Sequence, residues 1–177
     1  MAEKMWPQLV KGRDVVIQAG GNCGIFPKML SRHFKTVYTF EPDEENFNCL
    51  ELNVTEKNVY AYPWALGAKG GWTDLHRDPA NAGAHYMEGT GAIPVLTIDE
   101  MEYAACDLIA LDIEGAEILA LMGAEKTINK FKPTIIIEDK GHCKRFGYSP
   151  LELKGWLNNH GYRAVSICLR DTIWLAA

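Results

Sequence analysis

No part of this chain is rich in lysine or arginine. With a formal net charge of -5 at pH 7, it has no electrostatic footprint for a nucleic-acid backbone or an anionic membrane surface. It also has no C-x-x-C pair. Cys23, Cys49, Cys106, Cys143 and Cys168 are odd in number and scattered, which argues against a disulfide framework and a zinc knuckle and for reduced thiols. The opening residues Met1 to Pro7 lack the apolar core of a signal peptide, and no apolar run is long enough to cross a bilayer, so a cytoplasmic protein is expected. A dinucleotide fingerprint G-x-G-x-x-G is missing as well. A window from Gly20 meets Asn22 and Ile25, and one from Gly21 meets Cys23 and Phe26.

What the chain does have is a regular alternation of short apolar runs and amphipathic stretches. At 177 residues and 47% apolar content, it fits one domain with a single core over residues 1–177. The apolar runs predict seven strands: Val15 to Ala19, Thr36 to Phe40, Val59 to Trp64, Leu108 to Asp112, Thr134 to Glu138, Tyr162 to Cys168 and Thr172 to Ala176. Helices are predicted from about Gly24 to Phe34, from near Asp43, from Glu114 to Met122, and from the capping box Ser149-Pro150-Leu151-Glu152 to Gly161. Strands separated by helices make a mostly parallel sheet covered on both faces. Only Leu169-Arg170-Asp171 separates the last two strands, too little for a helical crossover, so they form a C-terminal antiparallel hairpin. The expected fold is Rossmann-like α/β with a seven-stranded sheet.

The most informative stretch runs from Asp14 through Gln18-Ala19-Gly20-Gly21-Asn22-Cys23-Gly24 to Phe40-Glu41-Pro42. It reads as a buried strand, a glycine turn opening a helix, a second strand, and an acid where that strand ends. Glycines let the backbone turn sharply and approach a ligand, and the following helix would aim unpaired N–H groups at it. An acid about twenty residues on is placed to accept hydrogen bonds from ribose hydroxyls. The competing readings are a tight strand-to-helix connection and an exposed acid favoured by a helix dipole.

Four segments carry a resemblance: Thr39-Phe40-Glu41-Pro42-Asp43-Glu44-Glu45-Asn46-Phe47, Ala65-Leu66-Gly67, Thr97-Ile98-Asp99-Glu100, and Leu111-Asp112-Ile113-Glu114-Gly115-Ala116-Glu117. In this order they resemble FkbM-family methyltransferases, which have the class I methyltransferase fold with its final antiparallel strand. The resemblance implies S-adenosylmethionine as cofactor and a hydroxyl oxygen of a sugar or secondary metabolite as acceptor. Carried over, the cofactor-contacting residues are Gln18, Gly20, Gly21, Asn22, Gly24, Glu41, Pro42, Trp64, Ala65, Leu66 and Asp112. Gly20 and Gly24 would lie along the methionine part, Glu41 at the ribose, and Trp64 to Leu66 at the adenine. Gln18 stands where the family usually has Asp, and it brings no negative charge near the cofactor's ammonium.

Asp112 and Glu114 leave the end of the fourth strand, the usual place for reacting groups in such sheets, and are the expected catalytic acids together with His85. Glu117 reads as a dipole complement to its helix. An anion beside the sulfonium would stabilise the reactant more than the transition state, so the acid should face the acceptor. An unactivated hydroxyl has a pKa near that of water, about 15.7, against about 3.9 for a free Asp, so deprotonation before attack is prohibitive. Two routes remain. A carboxylate or a histidine takes the proton late, or a divalent cation binds the hydroxyl.

Asp112, Glu138 and Asp139 are the candidate magnesium ligands, a set that resembles the site of catechol-type O-methyltransferases. Among the histidines His85 is the preferred base, His142 also follows a strand end, and His33 and His160 read as helix-end surface residues. Residues Trp72 to Met87 read as a lid in a loop or hairpin. Trp156, Leu157 and Trp174 read as core. Oligomeric state is not legible. Two other functions compete: a nucleotide-binding module without catalysis, which Gln18 would favour, and an NAD-dependent oxidoreductase, opposed by the glycine spacing and the last hairpin.

Overall fold

The computed structural model describes residues 6–168 and 171–177. A short helix α1 (Trp6–Leu9) leads to β1 (Val15–Ala19), α2 (Ile25–Leu30), β2 (Thr36–Phe40), α3 (Glu44–Asn53) and β3 (Val59–Tyr62). The third strand stops two residues earlier than its apolar run, because Pro63 has no N–H to continue the ladder. The chain then starts a second, smaller sheet with β4 (Ala65–Leu66), β5 (Gly71–His76) and β6 (Tyr86–Leu96). It returns to the main sheet through β7 (Leu108–Leu111), α4 (Glu117–Met122), α5 (Glu125–Phe131), β8 (Thr134–Glu138), α6 (Pro150–Asn159), β9 (Tyr162–Cys168) and β10 (Asp171–Ala176).

The main sheet has the order β3-β2-β1-β7-β8-β10-β9. Its first five strands run parallel, and β10 is antiparallel to both β8 and β9. The expected final hairpin is present; Leu169 and Arg170 of its turn lie outside the described residues. Alternation along the buried strands sends side chains to two separate cores. Ile17, Ile109, Ile135 and Ile137 pack with Ile118, Ile128 and Leu157 from α4, α5 and α6. Val16, Leu108, Ala110 and Ile136 pack with Leu30 of α2 and with Phe34 and Val10 on the other face. Leu157 and Trp174 belong to the first core and Trp156 packs against it, as their spacing predicts.

Two expected helices begin later than their sequence suggests. Gly24, with φ 90°, is the N-cap of α2 and stands outside it. Glu114 and Gly115 have φ 55° and 116°, so neither continues a right-handed helix, and α4 starts only at Glu117. The Glu117 carboxylate accepts the N–H groups of Ile113 and Gly115, both at 3.1 Å, and thereby holds this left-handed turn. By contrast, α3 and α6 begin where their caps predict. Asp43 accepts from Glu45 and Asn46, and the Ser149–Glu152 capping box is complete. The helices α1 and α5 had no counterpart in the sequence reading; α5 is capped from outside its own segment, by Asp99 accepting the N–H groups of Lys126 and Thr127. Among the described residues no helix is long and apolar enough to cross a membrane.

Candidate active site

Strand order reverses between β1 and β7, and ligand crevices in open parallel sheets form outside the carboxyl ends of strands at such a point. A cleft of about 720 Å³, open to solvent, lies there. Its floor includes Gly20, Glu41, Trp64, Leu66 and Asp112, and its roof comes from the β5–β6 hairpin through Leu75, His85 and Met87. Of the residues expected to hold the cofactor, Gly20, Asn22, Glu41, Pro42, Trp64, Ala65, Leu66 and Asp112 line this cleft.

Glu41 is 6% exposed, and burial pushes its pKa up, against hydrogen bonds from backbone N–H groups that pull it down. Its Oε1 accepts the N–H of Asp43 at 2.9 Å and its Oε2 that of Asn22 at 2.7 Å. A carboxylate has about four lone-pair sites; the two N–H groups and the Asn46 side chain use three, which leaves one for a hydroxyl in the cleft. Trp64 stacks on Tyr62 at 4.6 Å between ring centroids, and Tyr62 on Phe40 at 5.3 Å, giving that end of the cleft flat apolar surface. An anion that can hold a ribose beside aromatic walls fits an adenosyl group.

The glycine turn works differently from the expectation. Every amide from 20 to 24 is already used within the chain. Gly20 and Gly21 both donate to Phe40 O at 3.0 Å, Asn22 to Glu41, Cys23 to its neighbour's Asn22 Oδ1, and Gly24 to Gly21 O. Residues 25–27, which open α2, do not line the cleft. The turn therefore offers close-packed backbone and carbonyl oxygens rather than free N–H groups. Gly21 and Gly24 pack against α3, where added Cβ atoms would come within 2.6 Å of Leu50 and Val54.

Gln18 also departs from its expected place. It is 1% exposed, its Nε2 donates to Gly20 O at 2.8 Å, and its Oε1 accepts from Thr39 Oγ1. Gln18 lines not the cleft but a second cavity of about 540 Å³ on the α2 side, with Phe26, Ile136, Glu138 and Asp171. Asp112 and Gly20 line both spaces.

The acids at the ends of β7 and β8 form one cluster. Asp112 has a side chain 55% exposed, yet protein crowds it on the remaining sides. Loss of hydration first, and then a hydrogen bond and like charge from Glu138, push its pKa up to about 8. Glu114 is 6% exposed and is held by Lys140 Nζ at 2.7 Å on Oε1 and by His142 Nδ1 at 2.7 Å on Oε2. Lys140 also lies 2.7 Å from Glu138 Oε2 and 3.5 Å from Asp112 Oδ1.

This ammonium is the reason the expected magnesium site does not fit. It lies 2.7 Å from Glu138 and 3.5 Å from Asp112 and puts a positive charge where the cation would sit, while Asp139 accepts the N–H of Gly141 at 3.0 Å. Among the described residues no three metal-ligating side chains gather around one point.

His85 lies on the roof with Nδ1 3.2 Å from Asp43 Oδ2, at the Glu41 end of the cleft. It is His142, not His85, that pairs with an acid of the β7–α4 turn. The lid segment is a hairpin with its own ladder, held over the cleft by further contacts besides that of His85. Arg77 Nε donates to Asp43 Oδ2 at 2.8 Å, Asn46 Nδ2 to Ala82 O at 2.9 Å, and the Arg145 guanidinium sits 4.1 Å from the Tyr86 ring centroid. His76 stacks on Tyr86 outside the cleft lining, and His160 caps α6 against Trp156. The sequence reading missed Lys140, Asn46 and Arg145. For Lys140 a signal existed, a cation two residues beyond a strand-end acid; for the other two, only the hairpin's position gives them a role.

Comparisons with known proteins agree with this architecture. The methyltransferase FkbM domain matches residues 25–164. No curated protein matches the sequence. Among solved structures, the methyltransferase FkbM from Methylobacillus flagellatus KT superposes with a TM-score of 0.62 at 21% identity, covering 92% of this chain and 43% of that one. The chain thus spans less than half the length of that protein. An rRNA methylase from Streptococcus thermophilus gives 0.57 at 14% identity over 98% of this chain and 92% of its own. The protein SMU.1697c from Streptococcus mutans, solved in complex with SAH, gives 0.54 at 14% identity over 98% and 93%. At such identities these structures speak for the class I methyltransferase fold. The domain match runs from the first turn of α2 into β9 and takes in Glu41, Asp112 and Glu114, so the chain belongs to the FkbM methyltransferase domain family.

Proposed function

We propose that the protein transfers a methyl group from S-adenosylmethionine to a hydroxyl oxygen of a small acceptor, a sugar or another hydroxylated metabolite. The observation that carries this reading is the cleft with Glu41 at one end and Asp112 at the other, the second acid shared with an adjoining cavity. When bound, the cofactor supplies an electrophilic methyl on a sulfonium. Glu41 holds the ribose by a hydroxyl, Trp64 and Leu66 flank the adenine, and the roof hairpin excludes water. Asp112 accepts the acceptor's hydroxyl proton late in the step. A carboxylate whose pKa is raised toward the working pH is a better proton acceptor than an ordinary one. The net charge of -5 disfavours a nucleic-acid acceptor. A binding module without catalysis had Gln18 as its support, and that residue does not face the cleft.

Equilibrium dialysis with labelled S-adenosylmethionine, followed by label transfer to a panel of hydroxylated metabolites and oligosaccharides, tests the reading. Glu41→Gln keeps the shape but puts an amide donor against a backbone N–H and removes the charge. With charged hydrogen bonds contributing about 1.5–3 kcal/mol each, donor affinity should fall on the order of 100-fold. Equal recovery of label on both sides of the membrane with the native protein would end the proposal. Treatment with a chelator is expected to leave transfer unchanged, because Lys140 already fills the acid cluster. A loss that added magnesium restores would return those acids to a metal role.

A further inference from the structure

Asn46 is the third residue of α3, and the capping carboxylate of Asp43 accepts its backbone N–H at 3.1 Å. That fixes its side chain on the wall of the cleft, with 8% of the residue exposed. An asparagine amide has two N–H donors and one carbonyl oxygen. Its Nδ2 donates to Ala82 O at the tip of the roof at 2.9 Å, and the same amide donates to the Glu41 carboxylate. A carbonyl and a carboxylate only accept, so the nitrogen has to face them and the amide cannot be turned over. What remains is Oδ1. Among the described residues no donor meets it, and it is not one of the buried polar side-chain atoms left without a partner, so it keeps access to water.

Glu41 has room for one further donor once Asn22, Asp43 and Asn46 are counted. A ribose presents two neighbouring hydroxyls, so the second needs another acceptor. The amide bonded to that carboxylate carries an unused one. Because amide and carboxylate are joined by a hydrogen bond, their open oxygens lie close together, which suits hydroxyls on adjacent carbons. The roof tip covers the same spot. Ala82 is tied to Asn46, and a Cβ added at Gly83 would stand 3.4 Å from Asn22 Nδ2.

We propose that Asn46 is a ribose-binding residue, whose Oδ1 accepts one hydroxyl of the cofactor's ribose while Glu41 accepts the other. The inference rests on the methyl-transfer reading above. It divides the diol between a charged and a neutral acceptor, so the two hydroxyls contribute unequally: a hydrogen bond to a charged group is the stronger. It also joins the ribose to the roof. The amide that receives the hydroxyl is the one that holds Ala82, and a bound ribose braces it in the orientation that ties the tip down.

Calorimetric titration with S-adenosylhomocysteine and with its 2′-deoxy and 3′-deoxy analogues tests this without knowledge of the natural acceptor. With the native protein one analogue should bind at least about 10-fold more weakly than the parent, having lost a bond to a carboxylate, and the other about 5-fold more weakly, having lost one to a neutral amide. In Asn46→Ala the smaller loss should vanish and the larger remain. Arg77→Ala, which loosens the roof through Asp43, should weaken all three ligands by the same factor. A loosened roof lowers every affinity alike and cannot erase the difference between one analogue and the parent. Asn46→Leu, close in size and without polar atoms, serves the same comparison where the alanine variant does not fold. Both analogues keeping their native losses in the Asn46 variant, or a native protein that does not tell them from the parent, overturns the proposal. Failure of the native protein to bind S-adenosylhomocysteine instead removes the methyl-transfer reading, and this inference falls with it.

Discussion

Methyl transfer by the native protein is expected to rise as pH is taken up through about 8, and Asp112→Asn to lower it by roughly 10²–10⁴-fold while leaving donor affinity nearly unchanged. The direction follows from the surroundings of Asp112. Lost hydration favours the neutral acid, as do Glu138 from β8 and Glu114 from its own turn, while Lys140 opposes them. Below about pH 8 the group holds a proton and accepts none; above it the carboxylate is free to take the hydroxyl's. Asparagine matches the size of the side chain and cannot accept the proton, so its rate should be low and lack the rise. Initial rates across the neutral to alkaline range, with dialysis as the binding control, measure both. An Asp112→Asn protein with native turnover would refute the role given to this residue.

Gly20→Ala should have the largest effect on stability. Gly20 has φ 87°, and a Cβ there would collide with the carbonyl oxygen of Asp112, a backbone atom of the adjacent strand end. A left-handed conformation costs a non-glycine residue about 1–2 kcal/mol, and overpacking adds roughly 1–3 kcal/mol. At about 2–4 °C per kcal/mol for a chain of this size, the melting temperature should fall on the order of 10 °C. Donor binding should weaken as well, because the same collision pushes apart the two strand ends that line the cleft. Gly155 gives the contrast. It lies within α6 with nothing within 4 Å of its Cβ position, and alanine there should stabilise by about 0.5–1 kcal/mol. Thermal unfolding of both variants decides the matter; equal melting temperatures for Gly20→Ala and the native protein would contradict the close approach.

The parts of the fold that could be read beforehand are those fixed by local chemistry. Apolar runs such as Ile135-Ile136-Ile137 are buried on both faces and give the strands, while Asp43 and Ser149 cap the helices that follow them. What could not be read depends on distant partners. Glu114 and Gly115 look helical until the Glu117 carboxylate and the His142 backbone fix their turn. The amides of the glycine turn look free until Phe40 and Glu41 use them. The three acids look like metal ligands until Lys140 is seen among them. His85 and His142 are equally plausible bases as letters, and only the fold puts one beside Asp43 and the other beside Glu114.

The roof over the cleft carries a mechanical implication. β5 and β6 are stitched to each other by their own backbone ladder and anchored on β4 at the Val95–Leu96 end, whereas towards the tip the side chains of Arg77, His85, Asn46 and Arg145 join the hairpin to the walls. Letting a nucleoside in or out therefore asks for no melting of secondary structure. It asks for the release of a few clasps, after which the hairpin can tilt as a stiff flap, and the strength of those clasps sets how long a spent ligand stays.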